Sequence, residues 1–149
     1  MNPYIVVAIG LTFVGGALLA LQAPTNAMLA RAVASPVNAA LVSFAVGLAG
    51  LAVAALLLGA RPSPTEVRAL PWYAWAGGLY GAVFVAVAAF AAPRVGVTSF
   101  LTVAIAGQLA MALWLDRAGA FGLAVQEITA SRIAGVALVL AGAWLVQHD

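Results

Sequence analysis

Long apolar runs without charged residues, separated by short polar segments, dominate the chain. An α-helix needs roughly 20 consecutive apolar residues to cross the hydrocarbon core of a bilayer, which is about 30 Å thick. The runs are continuous and rich in Ala, Leu and Val, and they lack the alternating pattern of a membrane β-strand. The pattern therefore predicts an all-α integral membrane protein with five transmembrane helices, at about 4–28, 37–58, 72–92, 95–115 and 131–147.

Polar residues and prolines indicate where the predicted helices begin and turn. Ser35-Pro36 places an N-cap residue before a proline at the first helical position. Ser63 and Glu66 have the spacing of a capping box, which predicts one or two helical turns at the membrane interface between the second and third spans. Pro93-Arg94 leaves room only for a tight reversal, so the third and fourth spans are expected to form a hairpin.

Composition adds that no soluble domain is expected. Apolar residues make up 66% of the chain and charged residues 7%, whereas a soluble domain usually has roughly 25% charged residues. Five spans with their loops fill 149 residues. Residues 1–149 are therefore expected to form a single transmembrane domain, with the lipid bilayer as a partner.

The inventory of reactive side chains argues against catalysis. The chain has no cysteine, and its one histidine, His148, is assigned no role. The sequence contains no catalytic triad, no metal-ligand cluster and no phosphate-cradling glycine loop. We therefore expect no enzyme activity, no metal and no cofactor. The net charge of +2 is better explained by membrane topology than by a nucleic-acid surface.

The arginines give only a weak orientation signal. Arg31 and Arg94 lie on one side of the predicted bundle, and four arginines lie on the side of the N-terminus, which favours a cytoplasmic N-terminus. A weak bias is compatible with insertion in both orientations. Because the number of spans is odd, two oppositely inserted copies would form inverted repeats, a recurring transporter plan. The four arginines on the N-terminal side are Arg61, Arg68, Arg117 and Arg132.

A pair of amides near the end of the first span is the main candidate for ligand recognition. Gln22 and Asn26 are four residues apart and share a helix face. Pro24, between them, lacks a backbone donor and kinks the helix. Free carbonyls beside two amides suit a neutral or zwitterionic ligand. In the alternative interpretation, the helix ends near Leu21 and these residues form an ordinary loop.

Three further polar residues adjoin the later spans. Gln108 lies inside the fourth span, where its amide either binds ligand or forms an interhelical hydrogen bond. Asp116, at the membrane boundary, would serve proton coupling if it were partly buried; the alternatives are capping, or pairing with Arg117 or Arg132. Arg94 is a candidate gating residue or a snorkelling anchor.

Gly77 and Gly81 in the third span form a small-xxx-small pair. Such pairs allow the backbones of two helices to approach closely. The pair therefore predicts helix packing rather than ligand binding.

Six segments together suggest a known family: LALQAPTNA (19–27), SP (35–36), SFAVG (43–47), WYAWAGGLYGA (72–82), APRVGV (92–97) and AGQL (106–109). Taken in order, they resemble the bacterial YdcZ-like family of the drug/metabolite transporter superfamily. The resemblance implies transport by five-helix units that act as antiparallel pairs: one dual-topology chain, two oppositely oriented chains, or a fused ten-helix protein. Small multidrug exporters of that superfamily use a glutamate in their first helix, whereas this chain has no acidic residue in its first span.

The residues and the resemblance together predict a multi-pass, small-molecule transporter of the bacterial inner membrane. It would work by alternating access as an antiparallel homodimer, a 5+5 inverted bundle. The main alternative is a non-transporting scaffold or accessory subunit. A passive channel is a third possibility, but the sequence has too few polar residues to line one. The expected site lies between the first helix of each copy and the fourth span. It is lined by Gln22, Asn26 and Gln108, with Trp75 and Tyr80 as stacking surfaces.

Overall fold

Five long helices make up most of the protein, described here by a computed structural model. The structure describes residues 2–147, so Met1, His148 and Asp149 lie outside it. The five helices are long and apolar enough to cross a bilayer, which confirms the predicted number of membrane-spanning helices; the third span includes a 3-10 turn, Trp72–Ala76. In chain order the α-helices are α1 (Pro3–Ala32), α2 (Pro36–Leu57), the short α3 (Pro64–Arg68), α4 (Gly77–Val95), α5 (Val97–Ala118) and α6 (Ala130–Gln147).

The chain divides into two compact units. The first unit, Met1–Arg94, contains α1 to α3 and nearly all of α4. The second unit, Val95–Asp149, contains α5 and α6, which pack against each other.

The first helix does not stop at its internal proline. It continues through Pro24 to Ala32, so the alternative in which it ends near Leu21 is wrong. Proline has no backbone N–H, and the carbonyl four residues earlier therefore loses its helical donor. The amide pair consequently lies within a helix and beside a gap in that helix's hydrogen bonding.

The caps of the next two helices follow the sequence only in part. The Asn38 amide donates to Ser35 Oγ at 3.2 Å, and Pro36 takes the first helical position, as predicted. The short helix α3 also forms. Its N-cap residue, Ser63, makes no side-chain capping hydrogen bond, so the expected capping box is not realised there.

The reversal between α4 and α5 lies later than the sequence suggests. α4 continues through Pro93 and Arg94 to Val95, and α5 begins at Val97. Near a helix end, proline removes only one hydrogen bond and its fixed φ fits the helix. Gly96, with φ of +84°, breaks the helix instead, because glycine adopts positive φ without a steric penalty.

Alanines form the interior of the first unit. Ala30, Ala39 and Ala89 make a buried cluster, with Leu29 and Val33 packed against it. Such small side chains allow helices to approach closely when lipid supplies no hydrophobic driving force. Most large apolar side chains are exposed, as expected for surfaces that face lipid.

Only one glycine of the predicted small-xxx-small pair packs against another helix of this chain. A Cβ atom on Gly81 would lie 3.2 Å from Phe44 Cζ on α2, whereas a Cβ on Gly77 would meet nothing within 4 Å. Gly81 thus leaves room for the Phe44 ring. Gly77 leaves an open surface.

Gly81→Leu is therefore expected to destabilise the protein, and Gly77→Leu is its matched control. Overpacking a tight contact typically costs about 1–3 kcal/mol. Thermal unfolding of the purified variants in detergent should show a lower midpoint for Gly81→Leu alone. Adding Phe44→Ala to Gly81→Leu should restore part of the loss, since it removes the side chain that the leucine strikes. Equal midpoints for the two glycine variants would contradict this packing.

Candidate functional site

Asn26 is the outstanding polar residue of the first unit. It is only 4% exposed, and its side-chain Nδ2 has no hydrogen-bond partner among the described residues. A buried donor without a partner costs roughly 1–3 kcal/mol of desolvation. Buried polar groups are nearly always paired, so an exception calls for an explanation such as a ligand or water.

Asn26 lies among buried alanines of its own helix. Ala23, Ala27 and Ala30 are buried on the same helix, and their small side chains allow neighbouring groups to come close. Gln22 lies one helical turn earlier and is half-buried. The structure therefore places the two amides on one helix and buries Asn26 more deeply.

The proline between the two amides leaves one backbone hydrogen-bond acceptor without its helical donor. Pro24 has no N–H to donate, so the carbonyl of Ala20 lacks its usual helical partner. The Thr25 hydroxyl donates to the carbonyls of Leu21 and Gln22, at 3.0 and 2.9 Å. Amide donors beside a free carbonyl can bind an uncharged polar or zwitterionic group.

The two proposed stacking residues are exposed at the start of the third span. Trp75 and Tyr80 are 63% and 64% exposed. The C-terminal turns of α1 and α4 line one cavity, so the two helices run in the same direction. Asn26 lies in the second half of α1, whereas Tyr80 lies in the first turn of α4. A stacking role for either aromatic ring beside Asn26 stays a prediction.

In the second unit, Gln108 lies on an exposed surface. It occupies the middle of α5, its side chain is exposed, and it makes no side-chain hydrogen bond within the described part of the chain. The amide is thus not used between α5 and α6. At mid-membrane depth it faces lipid, solute or another protein surface.

Asp116 and Arg132 form an ion pair. Arg132 Nη1 donates to Asp116 Oδ2 at 3.1 Å, and the side chains of Arg132 and Asp116 are 40% and 38% exposed, respectively. The Asp116 carbonyl also accepts from the Gln126 amide at 2.8 Å. Pairing with Arg132, one of the alternatives from the sequence, is what the structure contains. The pair lies at the polar end of a cleft of about 350 Å³, otherwise lined by Leu109, Ala112, Leu113, Gly135, Val136 and Val139.

Arg94 shares a cavity with a second arginine, which was not predicted from the sequence. Arg31 and Arg94 line the same cavity of about 430 Å³ in the first unit. From the sequence, Arg31 indicates only the orientation in the membrane. The signal was present, because both arginines follow apolar runs that end on the same side of the predicted bundle.

The comparisons with known proteins give the family. The profile of the family described as "Putative inner membrane exporter, YdcZ" matches residues 7–145. Neither the curated proteins nor the solved structures gave a significant match. The family match covers nearly the whole chain, from within α1 to within α6. The protein therefore belongs to the YdcZ family of the drug/metabolite transporter superfamily, as a multi-pass transporter of the inner membrane.

Proposed function

We propose that two copies of this chain, inserted in opposite orientations, form a ten-helix exporter that moves a small polar solute by alternating access. The solute is uncharged or zwitterionic, and Asn26 is the main residue that binds it. The family supports transport in general. The observation that carries the rest is the buried amide of Asn26, whose Nδ2 has no partner.

The chemistry of the first helix favours that class of solute. From Tyr4 to Ala30 the helix contains no charged residue, so it offers no fixed charge to bind an ion. It offers instead the Asn26 amide, the half-buried Gln22 amide and the carbonyl that Pro24 leaves free. In a two-fold dimer each of these groups occurs twice. Several neutral donors and acceptors would then surround one ligand.

The exposed amide of Gln108 supports the second copy. An interhelical hydrogen bond of such a side chain stabilises a membrane protein by roughly 0.6–2 kcal/mol. An amide that faces lipid lacks this stabilisation. A second chain packed against this surface of α5 would supply the partner. Gly77, which has nothing within 4 Å of its Cβ position, offers a further small-residue surface for such packing.

A non-transporting scaffold accounts less well for Asn26. In a scaffold, intramembrane polar groups are consumed in contacts between helices, and the burial of Asn26 would be matched by a hydrogen bond. The unpaired Nδ2 instead leaves one donor for a ligand.

Cysteine accessibility tests this proposal directly, because the natural chain has no cysteine. Gln22→Cys and Asn26→Cys should react with a small, charged, membrane-impermeant thiol reagent. Reaction at position 26 should be slow, because Asn26 is buried in the described conformation and the site must open first. Ser63→Cys, in an exposed loop, is the fast control, and Leu48→Cys, on an exposed apolar surface of α2, is the lipid-facing control.

The comparison of positions decides the outcome. Reaction at 22 and 26 but not at 48 supports a water-filled path beside α1. If positions 22 and 26 are as inert as position 48 in folded protein, the amides are packed away from water and the proposed site is wrong.

A further inference from the structure

A charged cavity opens where three helix ends of the first unit meet. The last turns of α1 and α4 and the first turn of α2 enclose about 430 Å³. Arg31 and Arg94 lie on its lining together with Ser35, and alanines such as Ala30 and Ala89 form its apolar part. The cavity lies at the ends of apolar spans, where the membrane meets water.

The cavity carries an excess of positive charge. Among the acidic residues that the structure describes, Glu66, Asp116 and Glu127, none lines it. Neither of its arginines takes part in an ion pair within residues 2–147. The C-termini of α1 and α4 each contribute about half a negative charge and the N-terminus of α2 about half a positive one. The balance is an excess of roughly one to two positive charges.

Arg94 is already held in place. Its guanidinium lies over the Phe90 ring, 3.8 Å from the ring centroid, and its Nη1 donates to the Phe90 carbonyl. A guanidinium has five N–H donors, so most of them stay available. A fixed side chain loses less conformational entropy when it binds a ligand.

We propose that this cavity binds an anionic phosphate group, carried either by a phospholipid headgroup or by a phosphorylated solute. Arginine matches phosphate oxygens in a bidentate geometry, and two arginines on one cavity can contact the same group. Basic pockets between membrane helices are a known setting for anionic headgroups. The apolar part of the cavity suits the carbon chain that adjoins the phosphate. This site is separate from the amides of Gln22 and Asn26 and does not depend on their role.

Two binding measurements on purified, delipidated full-length protein distinguish the sources of the phosphate. In the first, inorganic phosphate is titrated in uncharged detergent at constant ionic strength, and thermal stabilisation is recorded. In the second, phosphatidylglycerol is compared with phosphatidylcholine in mixed micelles, and retained lipid is counted by native mass spectrometry. Stabilisation by inorganic phosphate indicates a free solute, and preferential retention of phosphatidylglycerol alone indicates a lipid.

The variants show whether the cavity is responsible. Arg31→Gln and Arg94→Gln should each raise the half-saturating concentration by about 3- to 10-fold, as expected when one partly solvated charged contact is lost. Arg31→Lys and Arg94→Lys should lose less, because they keep the charge. Arg61→Gln, which removes an exposed arginine outside the cavity, should bind like the wild type.

Two results would overturn the proposal. One is the absence of any response to phosphate and of any preference for phosphatidylglycerol. The other is an equal loss in Arg61→Gln and in the cavity variants, because the response would then reflect overall charge.

Discussion

Replacing Asn26 with leucine is expected to remove ligand binding and leave the folded protein at least as stable as the wild type. Asn26 is 4% exposed and its Nδ2 is unpaired, so the substitution breaks no hydrogen bond of that nitrogen. Replacing an unsatisfied buried donor by an apolar group of similar shape is nearly neutral or stabilising. For a ligand that uses this donor, the loss should be about 1–3 kcal/mol, or roughly 5- to 150-fold in affinity.

The measurement combines two readouts on purified protein. Thermal unfolding without ligand should give a midpoint for Asn26→Leu equal to or above that of the wild type. A thermal-shift screen against pools of small polar metabolites should then find a pool that stabilises the wild type and not the variant. Thr25→Val is the neighbouring control, since the Thr25 hydroxyl is already bonded to backbone carbonyls. A clear fall in the unfolding midpoint of Asn26→Leu would mean that the amide stabilises the fold, and the assignment to a ligand would fail.

The wild-type chain is expected to insert in both orientations. The arginines divide four to two between the two sides, a weak asymmetry for a rule that sets membrane topology. Fusions after residue 149 to a reporter active only in the periplasm and to one active only in the cytoplasm should therefore both give signal. A chain with one fixed orientation would activate a single reporter.

Single added arginines should shift this balance in opposite directions. Ser63→Arg adds charge on the majority side at a residue that makes no capping hydrogen bond, and should leave only the periplasmic reporter active. Asn38→Arg adds charge on the other side at an exposed position, and should favour the cytoplasmic reporter. A single active reporter in the wild type, unchanged by either substitution, would contradict dual topology and with it the antiparallel dimer.

The number and order of the spans could be predicted from sequence because membrane insertion depends on summed hydropathy. Each run is long enough to cross the bilayer wherever its exact ends lie. Local chemistry was readable as well, as the Ser35 cap and the Asp116–Arg132 pair illustrate. The same local reasoning misplaced the reversal at Pro93-Arg94, because a proline near a helix end is tolerated and Gly96 supplies the break.

Which side of each helix packs could not be predicted in this way. A helix that is apolar on all sides has no polar face to distinguish lipid from protein. The exposure of Gln108 and the burial of Asn26 therefore emerge only from the structure. The cavity shared by Arg31 and Arg94 was likewise hidden, since it depends on how three helix ends converge.

The alanine interior of the first unit restricts which substitutions this chain can accumulate. At Ala39 and Ala89, any residue larger than serine adds volume between helices already in contact, and overpacking is destabilising. Exposed positions such as Leu48 and Leu57 can exchange one apolar residue for another at little cost. Evolutionary drift should therefore erase sequence identity on the lipid-facing surface while the spacing of the small residues persists. Distant homologues of this chain would share the spacing of the buried alanines more than any continuous stretch of identical residues.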